Sequence, residues 1–370
     1  MMFGKGIAKG AHKAQKAGEA LREKDRAGEA AAVQFTAPDM AAVLILFLLA
    51  LATALPAAAS EDRCSSLFPD FTCDKREARP AGHVAPMSMP YLFEDPYINT
   101  EINLVGIYHN FPKDSILQGG EAGVVAVQAR LAITDRLAFI ATKDGYMIMR
   151  NDNGLLDNEE GFMDITAGFK YAVIDDREAG LIVTPSLRYE VPLGSDGVFQ
   201  GTGKGVIIPA VSVGYGPGSI HLIAGLGAQL AVDGDKDTSS LFYNIHLDQA
   251  FEVDFISGAD FIVPFIELNG TTYVDSGDGK STIETDLGRL PIGVVQRALD
   301  GLTANTRGEG IDVANLGSSG MAGKSIITMA WGVRIPFNNG FSTGISYERV
   351  LSQRQDIFEQ RFTAMVSYNF

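Results

Sequence analysis

The sequence lacks the repeated apolar stretches of about 20 residues that a helical membrane protein needs. One charge-free run is present, from Ala41 to Leu55, and it is only fifteen residues long. Pro56 and three alanines follow this run, and basic residues precede it. An apolar core that ends in small residues is typical of a secretory signal, so we expect export and cleavage near Ala59. An uncleaved inner-membrane anchor is the alternative.

The region before the apolar run is long for a signal peptide. Residues 2–39 are rich in Lys, Ala, Gly and Glu. We interpret residues 1–59 as a signal peptide with an extended basic region, or as the product of a start codon placed too early. They are left out of the fold prediction.

The chain is also short of basic residues, with 30 Lys and Arg against 45 Asp and Glu and a formal net charge of −15. Residues 1–59 hold 7 of the basic and 5 of the acidic residues, so the exported part carries −17. Such an acidic surface disfavours nucleic acid as a partner, because phosphates select Lys and Arg. It is compatible with carboxylate-rich loops that face divalent cations at a surface of outer-membrane lipid and lipopolysaccharide, as in Gram-negative bacteria.

Only two cysteines are present, Cys64 and Cys73, and eight residues separate them. In an exported protein this spacing predicts one small disulfide loop, and two free thiols are the alternative. No histidine lies between or beside them, which disfavours a metal site. Four prolines follow within residues 80–96, so we expect residues 60–100 to form an extended periplasmic lead rather than a domain.

From about residue 100 onward, apolar residues alternate with polar ones over segments of about ten residues, the pattern of transmembrane strands. In the last segment Phe362, Ala364, Val366, Tyr368 and Phe370 share one face. A terminal phenylalanine behind such an alternation resembles the C-terminal signal of bacterial outer-membrane proteins, which implies the barrel-assembly machinery as a partner through Phe370.

The same alternation occurs at 181–191, 241–253 and 327–337, with charged residues confined to one face. A charge that faces lipid at mid-depth costs roughly 2–4 kcal/mol, so the apolar faces should point outward. A soluble β-sandwich has the opposite arrangement, and alternation alone does not exclude it. Segment 260–271 is ambiguous, because Phe261, Val263 and Phe265 share a face with Glu267 and Asn269.

Strand and loop lengths complete the fold prediction. We expect an all-β fold, a transmembrane antiparallel barrel of about twelve strands within residues 101–370, with short periplasmic turns and longer extracellular loops. The expected strands lie near 101–110, 122–133, 137–149, 161–174, 179–192, 205–215, 219–233, 240–253, 260–271, 325–337, 341–350 and 360–370. An even number of strands places both termini in the periplasm.

Several short motifs resemble the phenol meta-pathway family of outer-membrane proteins. They are Thr134-Asp135-Arg136-Leu137, the run Gly161 to Tyr171, the run Pro192 to Gly197, and Leu268-Asn269-Gly270. The resemblance spans residues 101–370 apart from the loop 272–324. It implies a barrel that carries small, often aromatic, hydrophobic compounds across the outer membrane, and it supplies no catalytic residues.

The polar faces predict which side chains point into the lumen. The set is Arg130, Asp164, Lys170, Arg188, Glu190, His221, Gln229, Asp233, His246, Asp248, Glu252, Arg334 and Glu348. One interpretation is a polar lining that selects solutes. The other is a plug of mutually paired charges, as in small barrels, and twelve strands fall between the filled and the water-filled sizes.

We expect no enzyme activity, since there is no nucleophile motif. His221 and His246 are more consistent with hydrogen-bonding residues of the lumen than with catalytic groups or metal ligands, and no cofactor or metal is expected.

The loop 272–324 is unusually long. Within it, residues 291–302 place apolar side chains at helical spacing, with Pro291 at the start and Gly301 near the end. We predict a short amphipathic helix, which either narrows the pore or caps the barrel rim. The sequence as a whole favours a passive outer-membrane transporter for small hydrophobic or aromatic solutes. The alternative is a structural, adhesive or receptor barrel that acts through its loops.

Overall fold

The structure is a computed structural model that describes residues 79–115, 117–154, 156–275, 277, 282–283, 288, 290–291, 314–315, 322–353 and 355–370. The predicted signal peptide, the predicted disulfide and residues 292–302 of the predicted helix lie outside this range. Pro291 belongs to a two-residue strand, Leu290–Pro291, which pairs with Thr282–Ile283.

Twelve strands form one antiparallel sheet in chain order. Three of them are interrupted and are described by their segments. They are β1 (Glu101–Asn110), β2 (Gly120–Ala132), β3 (Leu137–Lys143 and Tyr146–Asn151), β4 (Glu159–Phe162, Ile165–Tyr171 and Ile174–Asp176), β5 (Leu181–Val191), β6 (Val206–Tyr215), β7 (Ile220–Ala231), β8 (Ser239–Gln249 and Phe251–Glu252), β9 (Phe261–Asp275), β10 (Ser325–Pro336), β11 (Phe341–Val350) and β12 (Gln360–Asn369).

The sheet closes on itself. Strand β1 pairs with β2 on one side and with β12 on the other, where the register runs from Glu101 opposite Asn369 to Asn110 opposite Gln360. Closure leaves no free strand edge, so the backbone of each strand is paired on both sides. The predicted closed antiparallel barrel of about twelve strands is confirmed.

The two faces of the wall have opposite character, and strand β8 shows it most clearly. Asn244, His246 and Asp248 are at most 2 % exposed, whereas the intervening Ile245 and Leu247 are each 48 % exposed. Polar side chains therefore point inward and apolar ones outward, the reverse of a soluble β-sandwich. This alternative is excluded.

The orientation of β9, which the sequence left ambiguous, is also defined. Glu267 and Asn269 are buried on the inner face together with Phe265, and Ile266 and Leu268 are 49 % and 42 % exposed on the outer face. The apolar residues that made the sequence pattern of β9 ambiguous therefore point into the barrel together with Glu267 and Asn269.

The connections divide the barrel into two ends. We call one the turn end; it holds the short connections 133–136, 177–180, 216–219, 253–260 and 337–340 and the last residue, Phe370, whose N–H donates to the carbonyl of Thr100 (3.0 Å). The other is the loop end, with connections 111–119, 152–158, 192–205, 232–238, 276–324 and 351–359. The loop 192–205 contains a single 3₁₀ turn, Asp196–Val198.

Among the described residues, no helix is long and apolar enough to cross a membrane.

Candidate functional site: the lumen and the segment inside it

Residues 79–100, which we call the inner segment, lie inside the barrel. Met87, Ser88 and Asn99 have no exposed area, and the segment contacts wall residues from strands on all sides. We expected this range to belong to a periplasmic lead; the part that is described fills the lumen instead. Its backbone polar groups and charged side chains find hydrogen-bond and ion-pair partners on the polar inner face of the barrel. The prolines in the segment had indicated only an extended chain.

The inner segment enters and leaves at the turn end and reverses in the middle of the lumen. Its two legs are joined near the turn end, where His83 Nε2 and Asp95 Oδ1 are 3.1 Å apart. At the reversal, the N–H groups of Leu92 and Phe93 both donate to the carbonyl of Met89 (3.0 Å each).

Glycines on the inner face of the wall leave room for the segment. A Cβ on Gly214 would lie 2.9 Å from Cγ of Pro96, and a Cβ on Gly344 would lie 2.7 Å from the sulfur of Met87. Both distances are well below van der Waals contact, so any side chain at these positions would push the segment away from the wall.

One side of the lumen is basic and holds the acidic leg of the inner segment. Arg130 donates twice to Glu94 (3.0 and 2.8 Å), and the ammonium group of Lys170 donates to the same carboxylate (2.8 Å). Arg188 donates to the carbonyls of Tyr91 (2.6 Å) and Leu92 (3.1 Å). Since these side chains are almost fully buried, each charge depends on its partner for stabilisation.

The opposite side of the lumen is mainly acidic. The Glu267 carboxylate accepts the N–H groups of Met87 (2.9 Å) and Ser88 (2.7 Å) and the hydroxyl of Ser88. It also lies 2.7 Å from Nδ1 of His246, whose Nε2 lies 2.9 Å from Asp248. Two backbone donors, one hydroxyl and one imidazole on a single carboxylate fix the segment against strand β9.

The hydrogen-bonded chain continues toward the loop end. Asn269 donates to the hydroxyl of Ser88 (2.7 Å) and to Glu348 (3.1 Å), and Glu348 pairs with Arg361 (2.8 Å). The acidic wall is therefore a continuous buried network across strands β8 to β12. It holds the middle of the inner segment through Ser88.

Gln229 and Asp233 are only partly buried, whereas ten of the thirteen lumen residues of the sequence analysis are buried, each at most 8 % exposed. These are Arg130, Asp164, Lys170, Arg188, Glu190, His221, His246, Asp248, Arg334 and Glu348. Nine of them pair with the inner segment or with a charged neighbour on the wall. That they line a path for solutes stays a prediction.

Asp164 and Glu252 differ from the rest. Asp164 accepts the N–H groups of Gly194 (2.8 Å) and Gly201 (3.0 Å), so it holds a loop at the loop end rather than facing the centre. Glu252 is exposed and borders a wide opening of about 780 Å³ at the turn end, together with Tyr97 and Ala250. It lies at the mouth of the lumen.

Sequence reasoning missed the partners of these residues. Glu94, Asp95 and His83 belong to a proline-rich stretch with no period, so nothing in the pattern placed them in the lumen. Glu267 and Arg361 could have been found, because both share a strand face with other polar residues, but the first was obscured by phenylalanines on the same face.

A third side of the lumen is apolar and rich in methionine. Five methionines that we call the methionine patch come together there with Phe111, Leu117 and Phe199 from the loop-end connections. They are Met87 of the inner segment, Met147 and Met149 of β3, Met163 between the first two segments of β4, and Met365 of β12. Unbranched thioether side chains adapt to guests of varied shape.

A small cavity at the loop end is acidic. It is bordered by Asp164, Glu190 and Asp237 and by one cation, Lys143, which pairs with Glu190 (2.8 Å). In the connection 232–238, burial raises the pKa of Asp237 to about 6; the hydrogen bond from Thr202 opposes this rise, and the charges of Glu190 and Asp164 add to it. The carboxyl group of Asp237 in this cavity is therefore partly protonated in mildly acidic solution.

Among the described residues, the hydrogen-bond partners of the His83, His221 and His246 rings are the carboxylates of Asp95, Asp248 and Glu267. The prediction that the chain is not an enzyme stays a prediction.

No family model matches the sequence, and no curated protein matches it. Solved structures do match. An outer membrane channel from Pseudomonas putida F1 is 14 % identical, with a TM-score of 0.41 over 78 % of this chain and 100 % of that one. The NanC porin is 9 % identical (TM-score 0.43; 73 % of this chain, 100 % of that chain), and the KdgM porin is 11 % identical (TM-score 0.37; 73 % and 99 %). The fold assignment rests on the strand pairing of this chain, and the resemblance to the phenol meta-pathway family stays a prediction.

Proposed function

We propose that the chain is a bacterial outer-membrane channel that carries small hydrophobic or aromatic solutes passively. Its closed barrel exposes a band of apolar side chains, including Leu187 (58 % exposed), Ile266 (49 %) and Ile345 (52 %). Such a surface is unfavourable in water and favourable in lipid, and closure satisfies the backbone there. The outer membrane is the bacterial membrane that holds such barrels.

The observation that carries the proposed solute class is the methionine patch. Most charges elsewhere in the lumen are paired with an opposite charge, and Arg188 and Arg334 donate to backbone carbonyls of the inner segment, so a guest would gain little by approaching them. Met147 and Met149 instead offer an apolar wall of flexible side chains between the loop end and the inner segment. An apolar solute that leaves water for this wall gains roughly 25 cal/mol per Å² of area removed from water.

The inner segment has to move for a solute to pass, because it occupies the middle of the lumen. It is not a strand of the barrel, and hydrogen bonds and ion pairs rather than sheet ladders hold it. Displacement of the segment leaves the twelve-stranded wall intact. We therefore place the gate in residues 79–100 and the route for solutes along β1 to β3.

Flux through the purified protein in liposomes tests this function. Met147→Gln and Met149→Gln keep the side-chain length and add an amide, so flux of small aromatics should fall several-fold while flux of ions is unchanged. Ser212→Ala, on the inner face of β6 (5 % exposed), is the control. If no solute crosses, although heat-modifiable gel migration shows that the protein is folded, the channel proposal is wrong. If sugars cross and aromatics do not, the solute class is wrong.

A further inference from the structure

Three side chains with metal-binding groups meet at the turn end, where the inner segment touches the wall. His83 comes from the inner segment, His221 from the start of β7 and Asp248 from β8. One potential ligand atom of each lies within 4.8 Å of those of the other two. All three residues are buried, at 7 %, 1 % and 2 % exposure.

Each histidine presents one ring nitrogen without a partner. Nδ1 of His83 and Nε2 of His221 are buried and have no hydrogen-bond partner among the described residues. A buried polar atom that is left unpaired costs about 1–3 kcal/mol. Both nitrogens are therefore free to bind a cation.

The other nitrogen of each ring already faces a carboxylate. His83 Nε2 lies 3.1 Å from Asp95, and His221 Nδ1 lies 2.6 Å from Asp248. Metal-bound histidines almost always have a carboxylate or carbonyl behind them in this way, since it fixes the tautomer and makes the free nitrogen a better donor.

The spacing of the two rings also fits one ion. Their centroids are 5.6 Å apart and their planes are 75° apart. Two imidazoles on a tetrahedral ion, with metal–nitrogen distances of roughly 2.0–2.1 Å, have centroids roughly 5.2–5.5 Å apart. The observed separation of the rings is close to this range.

We propose that His83 and His221 bind a divalent transition metal, with Zn²⁺ as the best match. Asp95 and Asp248 orient the rings and balance the charge, and water from the opening at the turn end completes the coordination. Imidazole donors exclude Ca²⁺ and Mg²⁺, which prefer oxygen ligands. The ion ties the inner segment to strand β7, and this holds whether or not the barrel transports.

Metal content of the purified full chain tests the site. After removal of metal by a chelator, the protein is dialysed against a small excess of Zn²⁺, and bound metal and affinity are measured by elemental analysis and calorimetry. The expected result is one Zn²⁺ per chain. His83→Gln and His221→Gln should each weaken binding by more than tenfold, and Asp248→Asn by about 10- to 100-fold.

His109→Gln is the matched control, because His109 is equally buried (0 % exposed) but lies at the loop end of the wall. It should bind as the wild type does. If His221→Gln does not fold, His83→Gln still decides, because His83 is outside the wall. Failure of the wild type to retain Zn²⁺, or equal affinity in the His83 and His109 variants, would overturn the proposal.

Discussion

The ion pairs of Glu94 give the sharpest prediction about the inner segment. Glu94 is 3 % exposed and is the shared partner of Arg130 (6 %) and Lys170 (1 %). Glu94→Gln keeps the size of the side chain but takes away the carboxylate to which both buried cations of the wall are hydrogen-bonded. Breaking a buried pair in this way costs about 3–5 kcal/mol.

This cost applies only while the segment occupies the lumen. When the segment leaves, water enters and hydrates Arg130 and Lys170, so the variant destabilises the occupied state and not the wall. A cost of about 3 kcal/mol corresponds to roughly a 150-fold rise in the population of the displaced state. Open events in planar bilayers should become more frequent by about this factor.

Two further variants isolate the cause. Glu121→Gln removes an acid that bonds Tyr108 at the loop end and does not touch the inner segment, so its open frequency should equal that of the wild type. Glu94→Gln combined with Lys170→Met removes one of the unpaired cations and should recover part of the effect. An open frequency for Glu94→Gln equal to that of Glu121→Gln, in protein with normal heat-modifiable migration, would refute the gate.

Three other properties can be predicted. Trp331, the single tryptophan, is 41 % exposed on the outer face beside Tyr347, so brominated lipids should quench its fluorescence and aqueous iodide should not. The opposite result would mean that the inner and outer faces of β10 are exchanged. Asp237 has a raised pKa of about 6, so the folded state binds its proton more tightly and the free energy of unfolding should fall as pH rises from about 4 through 6. Urea unfolding of Asp237→Asn should lack this pH dependence. If the variant keeps it, another group is responsible. Deletion of Phe370, 48 % exposed next to Tyr368, should lower the yield of assembled barrel in cells but not refolding in detergent; an unchanged cellular yield would exclude it as an assembly signal.

The sequence was sufficient to predict the barrel wall because apolar and polar side chains alternate with a period of two residues along each strand. Each strand of about ten residues carries several independent indications of which face is which. Strand β8 illustrates this, since Ile245 and Leu247 alternate with His246 and Asp248 and all four face as predicted. A single atypical residue cannot reverse such a strand.

The inner segment could not be predicted in the same way. Residues 79–100 have no period, and the prolines among them indicate only an extended chain. Whether an extended chain lies in the periplasm or in a lumen depends on contacts between distant residues, such as Ser88 with Glu267 and Glu94 with Lys170. Pairing of this kind depends on side chains that are about 75 to 180 positions apart, and a single sequence carries no record of it.

The same limit applies to the histidines. The sequence analysis assigned His221 and His246 to hydrogen bonds within the lumen, and in the structure both pair with Asp248. It gave no reason to add His83, which comes from the inner segment. Without His83 the two wall histidines are ordinary lumen residues, and the expectation of no metal followed from that.

The inner segment and the wall are electrically complementary, and this has a consequence for the open state. Arg130, Lys170 and Arg188 lie on strands β2 to β5, and the acids Asp248 and Glu267 lie on β8 and β9, about half a circumference away. The segment presents Glu94 to the first wall, and it presents backbone N–H groups to Glu267. When it withdraws, two walls of opposite charge face each other across water.

A field across the lumen orients dipoles and disfavours neither sign of ion strongly. An aromatic solute with one polar group would therefore turn that group toward the charged walls and its ring toward the methionine patch, whose wall residues include Met147 and Met149 on β3 and Met365 on β12. Selection would then depend on shape and polarity together, and a purely apolar ring should cross more slowly than its hydroxylated analogue.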